Sequence, residues 1–351
     1  MASYVGLDIG TSAVRAVQIA PGGKGPATLE RLGQVMLPAG AVRDGEIVQP
    51  EAVVEALRTL WQRYGFKGRK VAMGLASQQV VVRQVDLPYL PENELRQSLE
   101  FQAQDYIPIP IDQATLDFHV LEHYQTEDGQ QFSRILLVAA SKAQVDTLVQ
   151  IAGQAKLTPV LLDLDAFAML RSLAPRQAIE GGAGELLIDI GTSVTNIVIH
   201  EAGVPRFVRI LLMGGGQITD TLVSALGMSY EQAENTKAAA QPVDSPEVPV
   251  DDADRVVVER ANRFVDEIRG SLDYYAAQAD AVPVRQVLIT GGGSQLPGLA
   301  GRLSEALRLP VDRGHPMAEL KIGNVGLAPE QLVDAEPYLT VAIGLALGAA
   351  E

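Results

Sequence analysis

The feature that most restricts how this chain can fold is a repeated pentapeptide. Asp-Ile-Gly-Thr-Ser occurs at Asp8–Ser12 and again at Asp189–Ser193, half a chain apart. Each copy follows an apolar run, Tyr4-Val5-Gly6-Leu7 in the first case and Leu186-Leu187-Ile188 in the second. Each precedes a second run of β-forming residues, Val14–Ile19 and Val194–Ile199. Strand, tight glycine turn, strand, once per half: the pattern predicts two related α/β units. With 351 residues the chain is long enough to give each unit its own core.

Strands and helices alternate along the rest of the chain. Val54, Leu57 and Trp61 predict a helix over Glu51–Tyr64, followed by a strand at Lys70–Leu75. The stretch 77–157 reads as a unit of its own. It has a strand at Val80–Leu87, a helix over Glu92–Tyr106 with Leu95, Leu99 and Tyr106 in its stripe, strands at Ala114–Tyr124 and Phe132–Ala139, and a helix at Lys142–Ala155. This βαββα insertion divides the first unit into 1–76 and 158–184. The second unit runs over 185–351, with a smaller subdivision at about 220–284 and a glycine-rich joint (Gly181–Gly184) before it. Gln241–Asp254 is rich in proline and acid and reads as an exposed loop. Its aspartates lack the glycine and distal glutamate of an EF-hand calcium loop. A long helix (Arg255–Ala281) and a strand (Gln286–Thr290) lead to Gly291-Gly292-Gly293-Ser294.

Composition excludes several classes. A net charge of −15 without clustered Lys/Arg argues against nucleic acid and against a basic face for anionic lipid. No cysteine is present, so disulfides and thiolate metal sites are out. The opening residues lack the pattern of a signal peptide, and the apolar stretch Tyr338–Ala350 is too short and glycine-rich to span a bilayer. The expectation is a cytoplasmic chain without direct membrane insertion, or one that reaches a membrane through a partner. His119 and His123 have no third ligand in sight, which argues against zinc.

The doubled pentapeptide also carries chemistry. Gly10 and Gly191 let the backbone approach phosphate oxygens, and Thr11, Ser12, Thr192 and Ser193 add hydroxyl donors. A carboxylate cannot meet phosphate directly, so Asp8 and Asp189 read as ligands of an intervening Mg²⁺, through water. Arg15 alternates onto the side of Ala13 and Val17, where it reaches phosphate or lies exposed. In Asp163-Leu164-Asp165, Asp165 is the candidate water-positioning residue and equally a helix N-cap; Asp163 shares its strand face.

These motifs resemble the two phosphate motifs of the actin, Hsp70 and sugar-kinase superfamily, and Leu288–Ser294 resembles its adenosine motif. Met213–Thr219 with Ala233–Lys237 resembles the ribose-contacting segment of FtsA-like members, and Tyr338–Ala349 the C-terminal connecting helix. The resemblance implies duplicated ribonuclease-H-like domains with an inserted 1C-type subdomain. It implies ATP and Mg²⁺ in one cleft, with Gly214, Gly215, Gly216, Glu234, Lys237, Gly291, Gly292, Gly293 and Ser294 at the nucleotide. Thr195 and Asn196 end the second phosphate motif, where Thr-Thr-Asp is common in the superfamily. Losing that carboxylate implies ATP binding with at most slow hydrolysis.

The insertion resembles the PilM family of type IV pilus proteins in Leu87-Pro88, Glu94-Leu95-Arg96, Gln104–Pro110 and Leu116-Asp117-Phe118. That resemblance implies a scaffold at the pilus inner-membrane assembly platform. It would recruit the cytoplasmic N-terminal tail of PilN between the insertion and the first unit, with Val80–Leu87 and Glu92–Tyr106 as walls. Self-association stays open. The alternatives are a sugar or carboxylate kinase of the same superfamily and an FtsA-like division protein. The second is disfavoured because the sequence, as it stands, shows no basic amphipathic helix after Gly344–Glu351.

Overall fold

The computed structural model describes residues 3–23, 25–77, 79–174, 182–245 and 251–350. The first apolar runs become an antiparallel meander of β1 (Tyr4–Ile9), β2 (Ala13–Ala20) and β3 (Thr28–Met36). A short hairpin, β4 (Val42–Arg43) with β5 (Glu46–Ile47), leads into α1 (Pro50–Tyr64). Proline at the start of α1 suits its missing N–H, and Val53, Leu57, Leu60 and Trp61 are buried at helical spacing. The chain returns as β6 (Lys70–Leu75), parallel to β1.

The next segment forms β7 (Val81–Pro88), α2 (Glu92–Ala103), β8 (Ala114–Gln125), β9 (Gln131–Ser141) and α3 (Lys142–Gln154). β7 and β8 flank β9 in a separate antiparallel sheet. Leu95, Leu99 and Ala103 of α2 cover one face of it, against Val85, Phe118, Ile135 and Leu137. The apolar stripe does not reach Tyr106. The helix stops at Ala103 and Tyr106 is exposed, because Pro108 and Pro110 demand extended backbone just beyond. β10 (Thr158–Leu164), parallel to β6, and α4 (Asp165–Leu173) complete this half.

The second half repeats the meander with β11 (Gly184–Ile190), β12 (Thr195–Glu201) and β13 (Val204–Leu211). A helical layer follows: α5 (Gly216–Leu226), α6 (Tyr230–Ala238) and α7 (Asp252–Ala276). Then come β14 (Val284–Thr290), α8 (Leu299–Leu307) and β15 (Val311–Arg313). Gly181 of the glycine joint, and 246–250 of the acidic loop, lie outside the described residues. Strand order is β3-β2-β1-β6-β10 in one sheet and β13-β12-β11-β14-β15 in the other. The sequence repeat is thus a duplication of a whole five-strand topology.

The last elements, β16 (Lys321–Ile322), α9 (Pro329–Ala335) and α10 (Thr340–Gly348), carry the chain back to the first sheet. β16 pairs with β3. Ala342, Ile343 and Ala346 of α10 pack on Val17, Ile19 and Leu29, while Val341 and Leu345 meet Ala72 and Ala168. α4 joins the lobes, its Ala166 and Met169 sharing one core with Leu187 and Val198 of the second sheet. α10 lies so close to its neighbours that a Cβ on Gly344 would overlap the carbonyl of Ala168, and one on Gly6 that of Ala342. Gly344→Val should therefore cost about 1–3 kcal/mol of stability by overpacking. Urea unfolding checks this; an unchanged midpoint would mean that α10 is not held at that distance.

Candidate functional site

The two pentapeptides meet at the centre of the molecule. In each, the glycine N–H closes the turn onto a carbonyl: Gly10 to Ala13 at 3.0 Å and Gly191 to Val194 at 2.9 Å. The hydroxyls then pair across the lobes. Thr11 Oγ1 lies 2.7 Å from Ser193 Oγ, and Thr192 Oγ1 donates to Ser12 Oγ at 3.2 Å. The contact is reciprocal, as a twofold-related duplication requires. Thr11, Ser12, Thr192 and both glycines line a cavity of about 690 Å³ between the lobes, within the range of about 300–1,000 Å³ of small-molecule sites.

Asp8, Asp165 and Asp189 converge on this cavity. Burial raises the Asp8 carboxyl, and the Arg15 guanidinium, 3.4 Å away, pulls it part of the way back. Asp189 is pushed up to about 6 by burial and then by the charge of Asp8. Burial raises Asp165 well above the usual carboxylate range, and the charges of Asp8, Asp189 and Asp163 add to this. Asp165 Oδ1 has no hydrogen-bond partner among the described residues. One guanidinium against three carboxylates leaves the cluster short of positive charge, and a divalent cation is the chemical class that relieves it. Among the described residues no three His, Cys, Asp or Glu side chains stand close enough to hold a metal directly. These carboxylates therefore suit a hydrated cation held through its water ligands.

Asp163 and Asp165 part company. Asp163 accepts from Arg171 Nη1 at 2.9 Å and from the Leu164 N–H at 2.8 Å, leaving Asp165 to the cavity. Nor is Asp165 the N-cap. That position is Leu164, and Asp165 is the first residue inside α4.

At the other end of the cavity the β13–α5 turn brings Gly214, Gly215 and Gly216 onto the second hairpin. The N–H groups of Gly215 and Gly216 donate to the carbonyls of Gly191 and Thr192 at 3.0 and 2.8 Å. Lys237 Nζ donates to Glu234 at 2.6 Å, Thr219 Oγ1 at 2.8 Å and the Gly215 carbonyl at 3.3 Å. Thr219 in turn donates to Glu234. Gly291, at φ 81°, takes the left-handed turn that brings Gly292 and Gly293 to the wall.

Three of the expected residues lie off the cavity wall. Ser193 is spent on Thr11. Thr195 is buried with its hydroxyl on the Met213 carbonyl at 2.8 Å, and Ser294 is buried with its hydroxyl on the Gly291 carbonyl at 2.7 Å. Their hydroxyls hold the turns in place. Asn196 is buried beside Asp189, donating to it at 3.5 Å. His119 and His123 are exposed on β8 and do not line the cavity. Sequence reasoning placed Thr219 in the Met213–Thr219 segment but not as the lock on the Glu234–Lys237 pair, and it missed Tyr338, whose ring lies 5.6 Å from the Arg15 guanidinium. Only the register of α5 against α6, and the return of the chain at Pro337, bring them in.

Two duplicated sheets closing on one polar cleft define an actin-like fold. MreB5 of Spiroplasma citri bound to ADP shares it, with a TM-score of 0.58 at 12% identity over 98% of this chain and 95% of that one. The family described as type IV pilus assembly protein PilM matches residues 6–350, and the chain belongs to that family. A solved PilM-PilN type IV pilus biogenesis complex is similar with a TM-score of 0.86 and 26% identity, over 99% of this chain and 98% of that one. The cell division protein FtsA of Pseudomonas aeruginosa is 26% identical over 356 residues, covering 89% of this chain and 82% of its own length.

The raised carboxyl of Asp189 makes a pH prediction. A group held at about 6, against an ordinary 3.8, takes up a proton on folding. Its contribution to stability is full below the ordinary value and is lost as pH rises through about 6. Without nucleotide or metal, Asp189→Asn should melt near the unmodified protein at low pH and above it once pH passes 6. A melting difference that stays constant across this window would show that the Asp189 charge carries no such cost.

Proposed function

We propose that the chain is a nucleotide-binding scaffold of the type IV pilus inner-membrane platform, which docks the cytoplasmic N-terminal segment of PilN. The observation that carries this reading is the similarity, over nearly both full lengths, to the solved PilM-PilN complex. Mg²⁺–ATP is the ligand assigned to the cleft. The glycine turns and hairpin hydroxyls at one end suit phosphate oxygens, and Glu234 and Lys237 at the other suit ribose hydroxyls. Asp8 and Asp189 would hold Mg²⁺ through water, which would neutralise phosphate charge when bound. Asp165, with one oxygen unpartnered, is the residue in place to orient a water. Asn196 supplies an amide where a second acid would help, so turnover should fall far below the enzyme median of about 10 s⁻¹. A phosphate-release assay reaching that median would contradict the scaffold reading and favour a kinase or ATPase.

For the partner, the structure offers a groove of about 2150 Å³ on the far side of α4. One wall is the face of the β8–β9 sheet opposite α2, with Leu136 and Val138; the other is Leu162, Phe167 and Leu170. This differs from the walls expected from sequence. α2 covers the opposite face of that sheet, and β7 runs beside β13, with Gln84 donating to Asp280 at 3.1 Å. β8 is the outer strand of its sheet, so an extended segment finds a backbone edge beside an apolar wall. No helix among the described residues is long and apolar enough to cross a membrane; the docked segment would tether the chain there. Val138→Glu places a charge on the apolar wall and should weaken binding of a synthetic PilN N-terminal peptide by about tenfold or more, with ATP affinity kept. Unchanged peptide affinity in that variant would move the docking site elsewhere.

A further inference from the structure

The two pentapeptide hairpins differ at one chemically decisive position. In register, Asp8 faces Arg15 while Asp189 faces Asn196. One carboxylate has a cation across the ladder, the other an amide. Arg15 and Asp8 are nearly buried, their side chains 12% and 11% exposed. Arg15 Nε–H donates to Gln34 at 3.0 Å, and Nη1 reaches Asp8 at 3.4 Å, long for a charge-assisted bond of about 2.7–2.9 Å. A guanidinium carries five N–H donors. The remaining ones have no protein acceptor among the described residues, and Arg15 lines the cleft between the hairpins. A buried cation with donors to spare is costly until an anion meets them.

The anion that fits is a polyphosphate. A triphosphate entering the hairpin end would face Asp8, Asp165 and Asp189, and repulsion would expel it without a cation. Lys237 is already held by Glu234, Thr219 and Gly215. Arg15 is the cation placed at the hairpins.

We propose that Arg15 is a built-in counter-cation that sets the metal requirement of the cleft: a nucleoside triphosphate binds there without a divalent cation, its terminal phosphates meeting the Arg15 guanidinium, and Mg²⁺ strengthens that binding without being required for it. The proposal rests on the reading of the cleft as a nucleotide site. The arginine is fixed by the ladder and by the face of Tyr338, so it is present before any metal arrives. Mg²⁺ and Arg15 then share one task, and removing either leaves the other to neutralise the phosphates.

The test is calorimetric titration of the full chain with ATP, in excess EDTA and in excess Mg²⁺. The proteins are the unmodified chain, Arg15→Ala and Arg15→Lys, each first shown to be folded by circular dichroism and melting. Arg15→Gln replaces Arg15→Ala if that variant does not fold. The unmodified protein should bind ATP in EDTA. Arg15→Ala should weaken that binding about 10- to 100-fold, but binding in Mg²⁺ only about threefold or less. Arg15→Lys, which keeps the charge, should retain most of the EDTA affinity. An equal loss in both buffers overturns the proposal, since Arg15 would then be an ordinary phosphate contact. So does an unmodified protein that binds ATP only with Mg²⁺. Absence of ATP binding in either buffer is a different pattern and removes the nucleotide reading itself.

Discussion

Everything at the centre of this molecule depends on the reciprocal contact between the two Asp-Ile-Gly-Thr-Ser hairpins. Thr11 meets Ser193 and Thr192 meets Ser12, so the same two residue types serve each lobe in turn. Hydroxyls suit this place because each is both donor and acceptor and rotates freely. They can hold one another across a closed cleft and exchange that partner for a phosphate oxygen at little net cost. The glycines keep the turns narrow enough for the contact, and the strands behind them fix its register. Thr195 and Ser294, whose hydroxyls bond to backbone carbonyls, stabilise the turns from behind.

The symmetry of the scaffold and the asymmetry of its charges are separate matters. Backbone pairing repeats position for position, down to Asp8↔Arg15 and Asp189↔Asn196. Side-chain chemistry does not repeat. One lobe carries a cation and a cation–π partner; the other carries an amide whose buried Oδ1 has no hydrogen-bond partner among the described residues. Burial is the largest cause raising the proton affinity of all three carboxylates, and the charge of Asp8 adds to it at Asp165 and Asp189. A protein that needed only a stable core would not keep such a cluster, because apolar residues of similar size are commonly as stable or more so. The cluster is intelligible as a site whose charge balance is completed by what binds.

Much of this was legible in the sequence because it is written in local terms. A doubled pentapeptide between apolar runs encodes both meanders, and the helical spacing of Val54, Leu57 and Trp61 encodes α1. What stayed hidden depends on contacts distant along the chain. Nothing local tells that α10 leaves the second half and packs on β1 and β2, or that Tyr338 thereby comes over Arg15. Asp163 and Asp165 share an alternation pattern, and Arg171 decides between them from a full helix away. The walls of the proposed groove were not legible for the same reason. A βαββα pattern says that a helix covers one face of its sheet, not which larger body lies across the other.

The cleft and the groove share a structural part. α4 begins with Asp165 at the cleft, and two residues on, Phe167 turns toward the groove, followed by Leu170. Its Arg171 donates to Asp163 and to the Gly344 carbonyl of α10. Its Ala166 and Met169 belong to the core shared with the second sheet. A helix of nine residues so held moves as a unit or not at all, since packed interiors transmit displacement rather than absorb it. A ligand that attracts Asp165 and a peptide that presses on Phe167 therefore act on the same rigid element. If either ligand prefers one position of α4, the preference appears in the affinity of the other by the same factor. The polar cleft and the groove proposed for the partner thus share one short helix between them.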